Sequence, residues 1–236
     1  MKVAAIIPAA GMSVRMAPAQ IGSRKQFLML DDALVIVHTL RKFAACRLIH
    51  RIYVAVRPED QDLFVTHLAR EPYREAVEIV PGGDYRQESV ENCLLVVPPD
   101  TDFVAVHDAV RPFVEVSAIE RVVQEAERTG AAILGVSPVD TVKQVERTLV
   151  LGTIPRERIV LAQTPQVFRY EILKRAFERA AEDGFQTTDE SSLVEHLGVE
   201  VTVVQGSDRN IKITKPADLE LARLFLQEER ARAAAS

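Results

Sequence analysis

Short apolar runs alternate along the chain with longer stretches of helical period. The runs are VAAII (residues 3–7), RIYVAV (51–56), VEIV (77–80), FVAV (103–106), AAILGV (131–136) and VEVTVV (199–204). Most are apolar at successive positions, the mark of a strand covered on both faces, so they predict a buried and largely parallel sheet. Between them, SAIERVVQEAERTG (117–130) places Ile119, Val122, Val123 and Ala126 on one helical face. Its Ser117 and Glu120 are spaced as a capping box, and Gly130 supplies a stop. The pattern predicts a doubly wound α/β sandwich.

The alternation breaks between residues 137 and about 158, where SPVDTVKQVERTLVLGTIPRER has β-branched residues, Gly152 as a turn and no helical period. A protruding hairpin or arm is the simplest reading. Such an arm cannot bury its own apolar side, so Val142, Val145, Leu149 and Leu151 need a second subunit or the body of the domain. No repeat, low-complexity tract or linker divides the chain, which reads as one domain over 1–236 plus the arm. The terminal ERARAAAS reads as the end of a helix.

Composition narrows the function classes. With 236 residues, 47% hydrophobic and 27% charged, the chain has the size and apolar content of one full core. The formal net charge is −5 with no long block of like charge, which argues against a nucleic-acid polymer as partner and leaves small anions open. Cys46 and Cys93 lie far apart and outside any CxxC, against a disulfide framework or a structural zinc and consistent with a reducing cytoplasm. The run after Lys2 is too short for an export signal or a membrane span, so no membrane association is expected. His38, His50, His67, His107 and His196 show no metal-binding spacing, and no GxSxG or Cys/His pair points to a covalent intermediate.

The first strand runs directly into PAAGMSVRM (8–16), followed by RKQFL (24–28). Small residues at Ala9, Ala10 and Gly11 let the backbone approach a ligand, and N–H groups at a strand-to-helix turn form a nest for phosphate. Arg15 and Lys25 add positive charge at the same place. The loop is neither a Walker A nor a dinucleotide fingerprint, and without its cations it would read as tight packing. Asp108 ends a strand at the carboxyl edge of the sheet, where a carboxylate can hold Mg²⁺ against triphosphate oxygens; a helix cap or a salt bridge with Arg111 is the plainer alternative. Gly82 and Gly83 permit close backbone approach, with Asp84 and Ser89 as polar neighbours; an ordinary glycine turn near a helix start is again the alternative.

PAAGMSVRM with KQFL resembles the nucleotide-binding opening of the methylerythritol phosphate cytidylyltransferases, a family of Rossmann-like nucleotidyltransferases. The resemblance continues through GGDYRQESV (82–90), HDAVRP (107–112), VDTVK (139–143), QTPQVF (163–168), TDESSL (188–193) and NIKITKPADL (210–219). Ser13 stands where the family has a glycine, Arg24 where it has a proline, and the stretch before Lys25 is longer. The resemblance implies a three-layer sandwich with a largely parallel sheet and a β-arm that makes a homodimer. It also implies CTP as donor, a methylerythritol phosphate as acceptor and Mg²⁺, or another hard divalent cation, as cofactor.

For the residues, it implies a nucleotide site at Pro8, Ala9, Ala10, Gly11, Gly82, Gly83, Asp84, Ser89, Asp108 and Ala109, with the metal on Asp108. Arg15, Lys25, Arg156 and Lys212 become the catalytic cations, and Arg111, Thr141 and Thr164 hold the acceptor. Arg158 is the alternative to Arg156, and Thr188 and Asp189 read as a helix cap. Two other functions fit the same blocks: cytidylyl transfer to another polyol phosphate such as ribitol 5-phosphate, and a non-catalytic nucleotide-binding relative.

Overall fold

The structure, a computed structural model, describes residues 1–11 and 24–234. In chain order it contains β1 (Val3–Pro8), a small ribbon of β2 (Met29–Leu30) and β3 (Ala33–Leu34), α1 (Val35–Ala45), β4 (Ile49–Val56), α2 (Pro58–Leu68), β5 (Val77–Pro81), α3 (Arg86–Val96) and β6 (Phe103–Val106). There follow α4 (Val116–Thr129), β7 (Ala131–Val136), β8 (Val142–Glu146), β9 (Leu149–Ile154), β10 (Leu161–Arg169), α5 (Tyr170–Asp183), α6 (Glu190–His196), β11 (Thr202–Gln205) and α7 (Pro216–Ala234).

A sheet of 7 strands in the order β11-β7-β10-β6-β1-β4-β5 forms the middle layer. β10 alone runs against its neighbours β6 and β7, and every other pairing is parallel. Successive residues of β1 divide between the faces, as pleating requires. Val3, Ala5 and Ile7 enter a core with α1, α2 and α4, whereas Ala4 and Ile6 enter one with α3, α5 and α6. A smaller third core joins Leu30 and Val35 to Phe113, Ala222 and Leu226 of α7. The expected three-layer α/β sandwich is therefore observed. Deleting a fully buried ring such as Phe43 or Phe168 should cost about 3–5 kcal/mol.

Several local expectations change. α4 starts with Glu115 as N-cap and no side-chain cap bond, so Ser117 sits inside the first turn and makes no capping box. Its C-terminus is as expected, with Gly130 at φ 91° donating to Ala126. β11 is shorter than VEVTVV, because Gly198 at φ 83° and the Val199 N–H to the Val194 carbonyl close α6 first. The longest strand, β10, was not among the predicted runs. It is polar at Gln163, Thr164 and Gln166, and its pairing with β7 shifts register across Pro165. A proline inside a run argues against a central strand.

β8 and β9 form the expected antiparallel hairpin, with the turn at Arg147 (φ 53°) rather than at Gly152. Gly152 pairs with Gln144 where the register shifts, a bulge position. Leu149 is 71% and Leu151 57% exposed within this chain. α7 runs on to Ala234 and so contains most of the terminal segment. No described helix is long and apolar enough to cross a membrane.

Candidate active site

The carboxyl ends of β1, β5 and β6 carry three of the sequence blocks, PAAGMSVRM, GGDYRQESV and HDAVRP. From β1 the chain builds out to β4 and β5 on one side and then crosses back to β6 on the other, so the order reverses between β1 and β6, the switch point at which open α/β sheets bind ligands. After β1, three consecutive carbonyls are taken by side chains. Gln26 Nε2 donates to the carbonyls of Ala9 and Gly11, and Arg57 Nε donates to that of Ala10 at 2.7 Å. The Ala9 N–H continues the sheet to Ala55 at 2.8 Å. The Gln26 and Arg57 bonds engage the carbonyls of the turn, and backbone N–H groups are the part of such a turn that binds an anion. Arg24 ties the chain before Lys25 to α2 through Asp60 and Glu59. Arg15 and Ser13 lie outside the described residues.

Gly82 is where β5 meets this loop: a Cβ there would stand 2.1 Å from that of Ala10. A side chain at Gly82 would displace the loop. The Gly83 N–H donates to Ser89 Oγ at 3.1 Å, and that hydroxyl donates to the Tyr85 carbonyl at 3.1 Å. Ser89 thus braces the turn one residue before α3 from inside the helix, and Asp84 is exposed.

Asp108 follows β6 and is 6% exposed. Arg86 Nε reaches Oδ1 at 3.2 Å, while Arg111 Nε and Lys212 Nζ reach Oδ2 at 3.3 Å and 2.9 Å. Burial alone would raise this carboxyl; the charges of Arg86, Lys212 and Arg111 outweigh it and hold it well below the usual carboxylate range. Arg111 Nη1 also donates to the Asn210 carbonyl at 2.7 Å. The amide of Asn210 donates in turn to the Thr164 carbonyl at 2.9 Å.

Behind Asp108, proton positions follow from the acceptors. His107 Nε2 faces the Arg111 carbonyl at 3.1 Å, so it carries the hydrogen. Burial pushes this imidazole down to about 4, so it is neutral and Nδ1 accepts from the Thr164 hydroxyl at 3.0 Å. That hydroxyl in turn accepts the Asp108 N–H at 3.1 Å. Thr164 is committed to orienting Asp108, and its proton points at His107.

Two cavities meet at Asp108. One, of about 320 Å³, is lined by Pro8, Ala9, Gly11 and Lys25 on the β1 side and by Asp108, Ala109 and Ser89 opposite. The other, of about 210 Å³, is lined by Arg111, Gln163, Thr164, Gln166 and Asp189. Arg86, Asp108 and Lys212 line both. Ala10, Gly82, Gly83, Asp84, Thr141 and Arg156 line neither. Thr141 and Arg156 are exposed, and Arg156 Nη1 donates to the Val139 carbonyl at 2.8 Å. A larger hollow of about 610 Å³ between α1 and α7 shares no residue with either cavity.

Sequence reasoning missed Arg86, Glu190, Gln26 and Arg57. Arg86 lies inside GGDYRQESV and Glu190 inside TDESSL, but their pairing is a tertiary fact. Asp189 does cap α6, accepting from the Ser192 N–H at 3.3 Å, whereas Thr188 contributes its carbonyl to Arg86. Among the described residues no group of three or more His, Cys, Asp or Glu side chains could hold a metal. Asp108 fits a divalent cation only in company. Three of roughly four lone-pair positions on an ionised carboxylate are occupied, and Mg²⁺ is commonly held by one or two carboxylates plus substrate phosphates.

Residues 3–228 match the family model described as IspD: 2-C-methyl-D-erythritol 4-phosphate cytidylyltransferase. The chain is 54% identical to the 2-C-methyl-D-erythritol 4-phosphate cytidylyltransferase of Solibacter usitatus, with 100% of both chains covered. Among solved structures, 4-diphosphocytidyl-2C-methyl-D-erythritol synthase from Anaerococcus prevotii superposes with a TM-score of 0.84 at 28% identity, covering 95% of this chain and 96% of the other. The cytidylyltransferase from Thermus thermophilus gives 0.78 at 32%, covering 96% and 100%. A complete α/β sandwich, a cation-lined carboxylate at its switch point and a match along nearly the whole chain lead to one assignment: this chain belongs to the 2-C-methyl-D-erythritol 4-phosphate cytidylyltransferase family.

Proposed function

We propose that the 320 Å³ cavity takes CTP, that the 210 Å³ cavity takes the phosphate of 2-C-methyl-D-erythritol 4-phosphate, and that the cytidylyl group passes between them at Asp108. The products are 4-diphosphocytidyl-2-C-methyl-D-erythritol and pyrophosphate, in the non-mevalonate route to isoprenoid precursors. The observation that carries this reading is the meeting of both cavities on one ionised carboxylate ringed by Arg86, Arg111 and Lys212.

An oxygen of the acceptor phosphate attacks the α-phosphorus in line, the bond to the bridging oxygen breaks, and pyrophosphate leaves with the electron pair. The attacking oxygen is already ionised, so no general base is needed, and catalysis reduces to positioning and charge. The N–H edge of Ala10 and Gly11 cradles the triphosphate, while Lys25 and Arg15 offset charge on its oxygens. Pro8, Ala9 and Ala109 shape the walls, and Gly82, Gly83, Asp84 and Ser89 form the turn that meets the cytidine. Lys212 and Arg111 draw in the acceptor phosphate, and Thr164 fixes the carboxylate between the two substrates. Asp108 is the residue that would hold Mg²⁺ or another hard divalent cation, which would supply further positive charge at the phosphates.

Thr141 and Arg156, with Arg158 next to it, are exposed on or beside the arm. We assign them to the acceptor site of a second copy, in a homodimer built through the exposed apolar residues of the arm. The free, buried Cys46 and Cys93 suit a cytoplasmic enzyme.

The direct test is release of pyrophosphate from CTP, 2-C-methyl-D-erythritol 4-phosphate and Mg²⁺. Lys25→Ala should leave the fold intact and lower turnover about 10²- to 10³-fold, the usual cost of one preorganised donor. Near-normal turnover in that variant would refute the role of Lys25.

A further inference from the structure

Arg86 stands where three cavities meet. It lines the nucleotide and acceptor cavities and a third, of about 460 Å³, bounded by Tyr85, Gln87, Gln186 and Thr188. Its guanidinium is fixed from behind. Glu190 accepts from Nη1 at 2.7 Å and Nη2 at 3.0 Å, and the Thr188 carbonyl lies 3.4 Å from Nη1. Glu190 is 1% exposed and begins α6, where its own N–H donates to Gln166 Oε1 at 3.1 Å. A buried carboxylate is costly unless a partner compensates it, and here the partner is a side chain whose other edge opens on the reaction site. The guanidinium is a planar fork, so two bonds at its Nη nitrogens also set where Nε points. Nε points at Asp108, 3.2 Å away.

We propose that Arg86 is a further cation in contact with the reacting phosphates and that Glu190 is its positioning residue, holding the Nε edge toward the gap between the nucleotide and acceptor cavities. The inference rests on the assignment of those cavities in the preceding section. Asp108 is the resting partner of the Nε hydrogen, and a phosphoryl oxygen entering the gap competes for the same donor. Arg86 exchanges no proton and forms no bond. It offsets negative charge while the acceptor oxygen joins the α-phosphorus and pyrophosphate departs. Glu190 touches no substrate, and its effect passes through the angle at which it holds Arg86.

The experiment compares Arg86→Gln, Glu190→Gln and the double variant in the full chain, with CTP, 2-C-methyl-D-erythritol 4-phosphate and Mg²⁺, by steady-state kinetics alongside thermal unfolding. Arg86→Gln should lower kcat on the order of 10²-fold. Glu190→Gln keeps the shape of the side chain and should lower kcat about tenfold through misplacement, with the KM for CTP nearly unchanged. In the Arg86→Gln background it should slow turnover no further, because residues that act as a unit are not additive.

A purely structural Glu190 would lower the unfolding temperature and leave kcat alone, and that result overturns the proposal. So does wild-type kcat in Arg86→Gln, or a Glu190→Gln effect of equal size in both backgrounds. Should either single variant fail to fold, as Arg86→Gln is the more exposed to doing because it strands the buried Glu190 carboxylate, the double variant, in which both members of the pair are neutral, carries the test. Its kcat must then lie on the order of 10²-fold below that of the parent, and wild-type kcat refutes the idea. Wild-type turnover lost in Lys25→Ala establishes the site independently, so a failure confined to the Arg86 and Glu190 variants sinks this inference alone.

Discussion

Asp108, His107 and Thr164 form one chain of donors and acceptors whose direction is set by the single backbone carbonyl at its far end. The block HDAVRP placed the carboxylate at a strand end from sequence alone. What it could not reveal is that Arg86 and Lys212 arrive beside it from 22 residues upstream and from a segment beyond β11, since such convergence exists only once the sheet is assembled. His107 makes the chain testable by pH. Its folded value of about 4 lies below the roughly 6.5 of an unfolded histidine. Between those limits the unfolded chain binds a proton that the folded chain does not, so stability falls as pH falls. The contribution is fully present above about pH 6.5 and shrinks by on the order of 3 kcal/mol by pH 4. Urea unfolding across that range should give a shallower acid limb for His107→Gln than for the parent. Parallel limbs would mean that His107 is protonated in the fold.

At the scale of elements, the legible parts were those whose own residues decide their fate. The apolar face and glycine stop of α4 and the strands β1, β4, β6 and β7 need no information from elsewhere in the chain. β10 was illegible because its polar residues are satisfied by partners distant in sequence: Gln166 caps α6 and Gln163 holds Ser207. The turn after β1 is intermediate. Its small residues announced close approach, whereas the side chains that orient it, Gln26 and Arg57, come from two other segments. Two hydrogen bonds to the carbonyls of Ala9 and Gly11 at roughly 0.5–1.5 kcal/mol each put the loss in Gln26→Leu near tenfold in the KM for CTP. The KM for the acceptor should move much less. Equal changes for both substrates would show that Gln26 supports the whole cleft and not the nucleotide turn.

For the molecule as a whole, the hairpin of β8 and β9 is the feature that one chain leaves unfinished. Its presence was legible as a break in the alternation, though its turn was misplaced because Gly152 serves a bulge. Exposed Val145, Leu149 and Leu151 lie on the same segment as Thr141 and near Arg156, neither of which lines the cavities at Asp108. Leu149→Asp with Leu151→Asp should therefore convert a dimer to a monomer in sedimentation. The same variant should raise the acceptor requirement more than that for CTP. A monomeric parent, or a dimeric variant, would remove the arm from the site.

The reversed direction of β10 bears on where the hairpin of β8 and β9 leaves the sheet. A strand laid antiparallel begins where its neighbours finish, so Leu161 pairs with Val136 at the last residue of β7. Any insertion between β7 and β10 must then sprout from the ligand-binding rim, without a further helix to carry it there. One flipped strand thus lets the chain lengthen at its mouth, and whatever grows there is available to reach into a neighbour's reaction.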